Sequence, residues 1–392
     1  MKKVVWIFFF FALPLLVKAQ YTEIVRDNVV VHRNGTEMER LSILIPIPQS
    51  NAYQTVHNVD YDGATVCHTE GEADTYARFQ FNNVAEDSVV VGVRTVVTHH
   101  VINTDFSQID PDVPYNTSSF EYQLYTGATP DGYVDPHNST IVHIADSIWN
   151  IADAPVNYAL HCYDYVAYNY DYLNPYTGIH PLNQILSDGG GDCGNLSSIF
   201  ISLLRCKGIP ARHVVAFFSD GGCHVWAEFK TGGSEWIPVD VTYHRSDPYG
   251  NYFGRYNYNA IVVGFDVGHT YSRWNNFDTY TADILQAYHW WWWGYGGETT
   301  SQWSVSVEEI DPVAIAVLDT SDMKLYGSNG AIVVEQQQRA AVHNLSVYDI
   351  MGRPIVRNMK VLGNKAVIPV PATGVYIVHA DRAKPRKIFV LK

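Results

Sequence analysis

The stretch Gly189-Gly190-Gly191-Asp192-Cys193-Gly194-Asn195 holds the side chain best placed for covalent chemistry, Cys193. Leu196, Ile199, Phe200, Leu203 and Leu204 follow at i, i+3, i+4, i+7 and i+8, the spacing of one apolar helix face. Asp192 is a favoured N-cap residue and places Cys193 in the first turn. Gly208 and then Pro210 mark the end of that helix. A thiol in such a first turn meets unpaired N–H groups and the positive end of the helix dipole, and both favour the thiolate. An ordinary thiol, with a pKa of about 8.5, is only a few per cent ionised at pH 7, so this placement matters for reactivity. The glycines leave the backbone bare before the cysteine, which predicts close approach by a substrate.

A nucleophilic cysteine needs a base beside it and a group that orients the base. His224 and Asp240 are the candidates. If Thr231-Gly232-Gly233 closes a three-residue hairpin, Lys230 pairs with Ser234 and His224 falls directly opposite Asp240. Directly opposite residues share a sheet face, with Cβ atoms roughly 4.5–5.5 Å apart. A Cys-His-Asp set on a helix start and two neighbouring strands would attack an amide carbonyl and form a thioester. Taken singly each residue has a plainer reading: a small core hydrophobe, a strand histidine, an aspartate that opens a turn.

The elements that must position these groups change period along the chain. Residues 20–126 alternate and are β-rich, with strands expected at 41–47 and 89–101; Pro46 and Pro48 place the end of the first at a sheet edge. Ile141, Ile144, Ala145, Ile148 and Trp149 repeat with helical period, and 158–173 is a second helix. After the cysteine helix the period returns to two, with strands at 213–218, 223–230 and 235–243. Further strands are expected at 331–335, 344–349, 366–369 and 375–380. Helices followed by a meander of strands make an α+β arrangement. The expected division is 1–19 leader, 20–130 N-terminal β-sandwich, 131–298 catalytic domain and 299–392 small C-terminal β domain.

Four blocks carry a family resemblance: Gly191-Asp192-Cys193-Gly194, then Leu204-Arg205-Cys206-Lys207-Gly208-Ile209-Pro210-Ala211-Arg212, then His224-Val225-Trp226-Ala227-Glu228, then Trp236-Ile237-Pro238-Val239-Asp240. In order and spacing they resemble the core of the transglutaminase-like superfamily over roughly 135–270. The resemblance implies a papain-like α+β core with Cys193 as nucleophile, His224 as base and Asp240 as orienting acid, flanked by an N-terminal and a small C-terminal β-sandwich. It implies a cysteine-dependent acyl-transfer enzyme acting on peptide or amide bonds, with hydrolysis favoured over amine transfer. The alternatives are a peptide- or glycan-binding protein on the same scaffold and a protein-crosslinking transglutaminase. Gln184 is a candidate for the side-chain oxyanion donor. No metal or organic cofactor is called for.

Other conspicuous residues read more plainly. Cys206 falls on a different helix face from Cys193, and Cys223 alternates away from His224, so both read as structural. Arg205 and Arg212 are expected to buttress the core through hydrogen bonds. Trp226 shares the His224 face as a site wall or as core. His99-His100 face opposite ways on a strand, which argues against a metal pair and for solvated positions. Trp290, Trp291, Trp292 and Trp293 offer stacking surfaces for a glycan, although alternation turns half of them inward.

The chain has 392 residues, 47% of them hydrophobic, enough for two or three folded units. The formal net charge of −14 argues against nucleic acid, whose phosphates need a basic face. Lys2 and Lys3, the apolar run 4–17 and Val17-Lys18-Ala19 form the pattern of a secretory leader, and no other stretch has the length of a membrane span. Its removal leaves a charge of about −17 and predicts a secreted protein: periplasmic, cell-surface or extracellular. Five cysteines in such a chain leave at least one unpaired, with three pairings open to the other four. The segment Leu345-Ser346-Val347-Tyr348-Asp349-Ile350-Met351-Gly352-Arg353-Pro354, with Gly374-Val375-Tyr376-Ile377-Val378 and the basic end Lys387-Ile388-Phe389-Val390-Leu391-Lys392, resembles the C-terminal sorting domain of Bacteroidetes proteins exported by the Por (type IX) system. That resemblance implies export past the outer membrane.

Overall fold

A computed structural model describes residues 22–310, apart from 70–72, 153 and 174–177, and beyond them 323–328, 330–336, 344–349, 353–360, 365–380 and 386–390. The expected leader lies outside the described residues. Six strands open the described chain: β1 (Thr22–His32), β2 (Glu37–Pro46), β3 (Gln54–Asp60), β4 (Thr65–His68), β5 (Thr75–Val84) and β6 (Ser88–His99). Along β6 the odd positions Val91, Val93, Thr95, Val97 and His99 are buried, as a period of two requires.

After the short strand β7 (Ile102–Asn103) come helices α1 (Phe120–Thr126), α2 (Ser139–Trp149) and α3 (Pro155–Asn169). Asn138 caps α2 by accepting from the Thr140 and Ile141 amides, and Pro155 opens α3 where its missing N–H costs nothing. α3 therefore starts before the expected 158 and stops at Asn169, because the chain then turns extended into β8 (Asp171–Tyr172). α4 (Leu182–Asp188), β9 (Gly190–Gly191) and the cysteine helix α5 (Cys193–Cys206) follow. The rest of this unit is β10 (Ala211–Phe217), β11 (Cys223–Phe229), β12 (Ile237–Val239), α6 (Val241–Ser246), β13 (Arg255–Tyr256), β14 (Ile261–Phe265), β15 (His269–Ser272) and β16 (Thr279–Ala282).

The central sheet is antiparallel in the order β12-β11-β10-β14. α5 lies against β10 and β11 and is covered by α2, α3 and α6. It was expected to bury one face; instead every residue from Gly194 to Arg205 is buried. The polar positions tolerate this because each finds a partner. Ser197 and Ser202 donate to the carbonyls of Cys193 and Ser198, four residues back, and Ser198 meets His213 at 3.1 Å.

Two further strands, β17 (His289–Tyr295) and β18 (Thr300–Ile310), return to the N-terminal region. They complete two four-stranded sheets, β18-β1-β6-β3 and β17-β2-β5-β4, which share one hydrophobic cluster with Val29, Val93, Ile43 and Phe79. Strand β17, expected with the catalytic region, and β18, expected with the tail, thus pair with strands from the start of the chain. β2 is interior to its sheet over most of its length, and its end at Pro46 lies at an edge as expected. Pro46 is accommodated because pairing with β17 stops at Leu44, leaving only the β5 side engaged there. The first sheet packs on the helical unit through Val25, Val97, Trp303, Val305 and Val307.

The tail forms two more sheets. β19 (Met323–Ser328), β20 (Ala331–Gln336) and β23 (Lys365–Pro369) make one; β22 (Pro354–Lys360), β21 (Asn344–Asp349), β24 (Gly374–Ala380) and β25 (Arg386–Val390) make the other, in that order. Ile332, Val334, Leu345, Val347 and Ile368 fill the space between them, and Val375 packs on Ile24 and Val96. The whole is a strand-rich mixed α/β chain. Among the described residues no helix is long and apolar enough to cross a membrane.

Candidate active site

Cys193 is the first residue of α5 and is partly exposed. Asp192 caps the helix as its residue type predicts, its Oδ1 accepting from the Gly194 amide at 3.0 Å and the Asn195 amide at 3.1 Å. Asn195 supplies a lock that sequence reasoning did not single out. Its Nδ2 donates to Asp192 Oδ1 (2.7 Å) and to the Gly178 carbonyl (3.1 Å), while its Oδ1 accepts from the His180 amide (2.9 Å). The Asp-x-x-Asn spacing, a variant of the capping box, was the available signal.

Two of the glycines before Cys193 are required by packing. A Cβ at Gly190 would lie 1.9 Å from the Asp171 carbonyl oxygen, because β8 pairs directly with β9. One at Gly191 would lie 2.4 Å from the Asn195 Cβ. Gly189 is the left-handed cap that ends α4, with φ of 75°.

His224 sits on β11 and is buried, with Nε2 2.7 Å from Asp240 Oδ2. That leaves Nδ1 free of Asp240, and the Cys193 side chain acts on the same ring. Burial alone would depress the imidazole. The Asp240 charge and hydrogen bond, with the Cys193 contact, outweigh it and push the ring up to about 10. Gln286, which no local pattern marks out, braces the strand by donating to the carbonyls of Ala216 (2.6 Å) and His224 (3.0 Å).

Asp240 reaches the ring by a different route from the one expected. The hairpin is longer than three residues: Phe229 pairs with Ile237 and Ala227 with Val239, two residues out of the predicted register. Strand β12 ends at Val239, and Asp240 is the N-cap of α6, its Oδ1 accepting the Tyr243 amide at 2.9 Å. A shift of two preserves the sheet face where a shift of one would have reversed it. His224, Asp240 and Cys193 are therefore brought together, with the carboxylate set diagonally and fixed by a helix start.

The neighbouring residues divide as follows. Trp226 stacks near His224 at 5.8 Å between ring centroids and is also core, with its indole N–H donating to the Tyr53 hydroxyl at 3.3 Å. Arg205 is buried and bonds Asp266 and two carbonyls; Arg212 bonds Glu228 at 2.6 Å. Gln184 lies exposed on α4. All five cysteines are free thiols. Cys223 is exposed, and partial burial, then the fields of Cys193 and Asp27, push its thiol up to about 11. His99 is not solvated as expected: it continues the inward face of β6 and meets Glu23 at 2.6 Å, while His100 is half-exposed. Among the described residues no cluster of three His, Cys, Asp or Glu side chains could hold a metal ion. All four tryptophans of β17 are half-buried. Trp290 and Trp292 lie on the shared cluster of the two sheets, Trp291 meets Tyr280 edge-on, and Trp293 lies beside Arg40 and Arg273.

Residues 142–241 match the transglutaminase-like superfamily. An uncharacterized protein of Haemophilus influenzae is 24% identical over 237 residues, covering 51% of this chain; the match spans 63% of the relative's length. The fold of a candidate cysteine protease from Cytophaga hutchinsonii superposes with a TM-score of 0.52 at 12% identity, over 74% of this chain and 91% of that one. The periplasmic domain of TgpA from Pseudomonas aeruginosa aligns with a TM-score of 0.30 at 15% identity, over 59% of this chain and 90% of that one.

Proposed function

We propose that this chain is a cysteine-dependent acyl-transfer enzyme that cleaves peptide or amide bonds through a thioester, with water as the favoured acceptor. The observation that carries the reading is the His224 ring held between Asp240 Oδ2, 2.7 Å away, and the sulfur at the start of α5. In this scheme the Cys193 sulfur attacks the amide carbonyl carbon. The Cys193 backbone N–H stabilises the oxyanion as the C–S bond forms. His224, protonated at neutral pH, gives its proton to the leaving amine as the C–N bond breaks. The neutral imidazole then takes a proton from water, which attacks the thioester; the C–S bond breaks, releasing the acid and restoring the Cys193 thiolate beside protonated His224. Asp240 keeps the ring in one orientation and steadies its charge throughout.

The same reading extends to the flanks. The two N-terminal sheets, closed by β17 and β18, are read as a β-sandwich, and the tail as a second, smaller one with a sorting role. The leader-like start supports action outside the cytoplasm. The tryptophans of β17 are a candidate glycan contact.

Iodoacetamide at about pH 6 tests the core of the proposal, since an ordinary thiol is slow there. The expected result is one label per chain, on Cys193, lost in Cys193→Ala. Digestion of a mixed peptide library should then yield fragments, whereas a crosslinking enzyme would incorporate a labelled amine. A chain whose Cys193 reacts no faster than free cysteine would overturn the proposal.

A further inference from the structure

His224, Trp226 and Glu228 alternate along β11 and so project from one face of it. One residue of the N-terminal region spans the last two. Tyr53, buried in the loop between β2 and β3, accepts the Trp226 indole N–H at 3.3 Å and donates its own hydroxyl to Glu228 Oε2 at 2.6 Å. The other Glu228 oxygen accepts from Arg212 Nε at 2.6 Å. The Tyr53 ring stands edge-on to Trp226 at 5.3 Å and to Tyr256 at 4.6 Å, and those two rings stack on each other at 5.2 Å. Packing thus fixes the plane of Trp226, and one hydrogen bond fixes its direction within that plane.

The loop that carries Tyr53 is itself anchored. The Tyr53 amide donates to Asn51 Oδ1 at 2.9 Å, and its carbonyl accepts from the His100 amide at 2.7 Å. The next side chain, Gln54, clamps β14: Nε2 donates to the Val262 carbonyl at 2.8 Å and Oε1 accepts from the Val262 amide at 2.9 Å. Asp240 holds the imidazole at one nitrogen, Nε2, and a single hydrogen bond lets a ring tilt about it. Two near-parallel rings limit that tilt, Trp226 at 5.8 Å and 30° and Phe218 at 6.3 Å and 22°. Phe218 is half-buried, whereas Trp226 is buried and pinned. Resting on the acyl-transfer reading above, we infer that Tyr53 is a positioning residue for His224: through Trp226, the N-terminal region sets the plane in which the imidazolium meets Cys193.

The test uses the full chain and compares the iodoacetamide alkylation rates of Cys193 at about pH 6 and about pH 9. At the lower pH a thiolate depends on its imidazolium, while at the higher an ordinary thiol is mostly ionised, so the ratio of the two rates falls when the ring is misplaced. Tyr53→Phe keeps the packed ring, strands a buried indole N–H, and should lower the ratio about fivefold. Gln54→Ala loosens the same loop from β14 instead of from Trp226, and should leave the ratio within about twofold. Trp226→Phe should lower the ratio as Tyr53→Phe does. Adding Tyr53→Phe to it should change little further, as expected of two side chains that act through one bond. An unchanged ratio in Tyr53→Phe, equal losses in Tyr53→Phe and Gln54→Ala, or fully additive losses in the double variant would each overturn the inference. Should Tyr53→Phe show no melting transition, Trp226→Phe decides alone, and an unchanged ratio there overturns the inference. If iodoacetamide does not select Cys193 in the parent chain at the lower pH, the proposed function fails, and this inference with it.

Discussion

Asp240 engages His224 from the first turn of a helix: one carboxylate oxygen lies 2.7 Å from Nε2 and the other accepts the Tyr243 amide. The cap fixes the carboxylate, and the carboxylate fixes the ring. Asp240→Asn keeps a capping oxygen but removes the charge, so the ring should fall from about 10 towards its ordinary 6.5. Alkylation of Cys193 at pH 6 should slow by about a hundredfold. The linkage has a definite sign. A histidine raised in the fold contributes stability that is whole below about 6.5 and lost as pH rises through about 10. The melting-temperature gap between the parent and Asp240→Asn should therefore shrink from pH 6 to pH 10; a gap that stays constant would mean the charge pair is not what holds the ring.

The glycines around Cys193 make a graded test of the packing. A methyl at Gly190 collides with the backbone oxygen of Asp171 at 1.9 Å, and backbone cannot step aside without breaking the β8–β9 pairing. A methyl at Gly194 meets only the terminal Cδ1 of Ile179, at 2.1 Å, which can rotate. Gly190→Ala should cost about 3 kcal/mol in denaturant melts and slow Cys193 labelling; Gly194→Ala should stay within about 1 kcal/mol. The reverse order would show that β8 does not brace the nucleophile.

The parts of this site that could be read from sequence are those set by short-range rules. Asp192 had to cap, Cys193 had to open the helix, and Gly208 had to end it, because each outcome depends on a few adjacent residues. The meeting of His224 with Asp240 was legible only in its face parity. The turn after Phe229 is longer than its glycines suggested, and the strand beyond gives way to a helix start, a choice decided by the Asp240 cap and the packing of α6. The full burial of α5 was hidden because serines read as a polar face until their hydroxyls are seen bonding backward along the helix. Long-range pairing was least accessible. Nothing near 289–310 announces that these strands will pair with residues 22–46, since a strand carries no local mark of its partner.

Arg205 and Asp266 form a buried ion pair at 2.7 Å beneath α5. Burial would raise the Asp266 carboxyl, but Arg205 first and His213 second hold it well below the usual carboxylate range. Arg205→Met strands the carboxylate, and the expected cost at pH 7 is about 3–5 kcal/mol. With the arginine gone burial dominates, so the folded-state pKa rises and stability is lost as pH increases through it. The deficit should accordingly be smaller at pH 4 than at pH 7 in urea melts; a deficit that grows on acidification would contradict this balance.

Asp27 is the reciprocal case, a buried carboxyl with too little support. Its Oδ1 accepts from the Trp303 indole N–H, while its Oδ2 is buried without a partner. Burial pushes it up to about 7, and the Trp303 bond offsets only part of that. An acid raised in the fold contributes stability that is complete below about 3.8 and lost as pH rises through about 7. Asp27→Asn keeps the acceptor for Trp303 and cannot ionise. The substituted chain should therefore gain on the parent between pH 5 and pH 8, by about 2 kcal/mol in denaturant melts. A second readout follows from the neighbour. Ionised Asp27 helps hold the Cys223 thiol up, so Cys223 in Asp27→Asn should alkylate faster near pH 9. Parallel stability curves would show that Asp27 does not titrate between pH 5 and pH 8, and an unchanged Cys223 would show that the Asp27 charge does not reach that thiol.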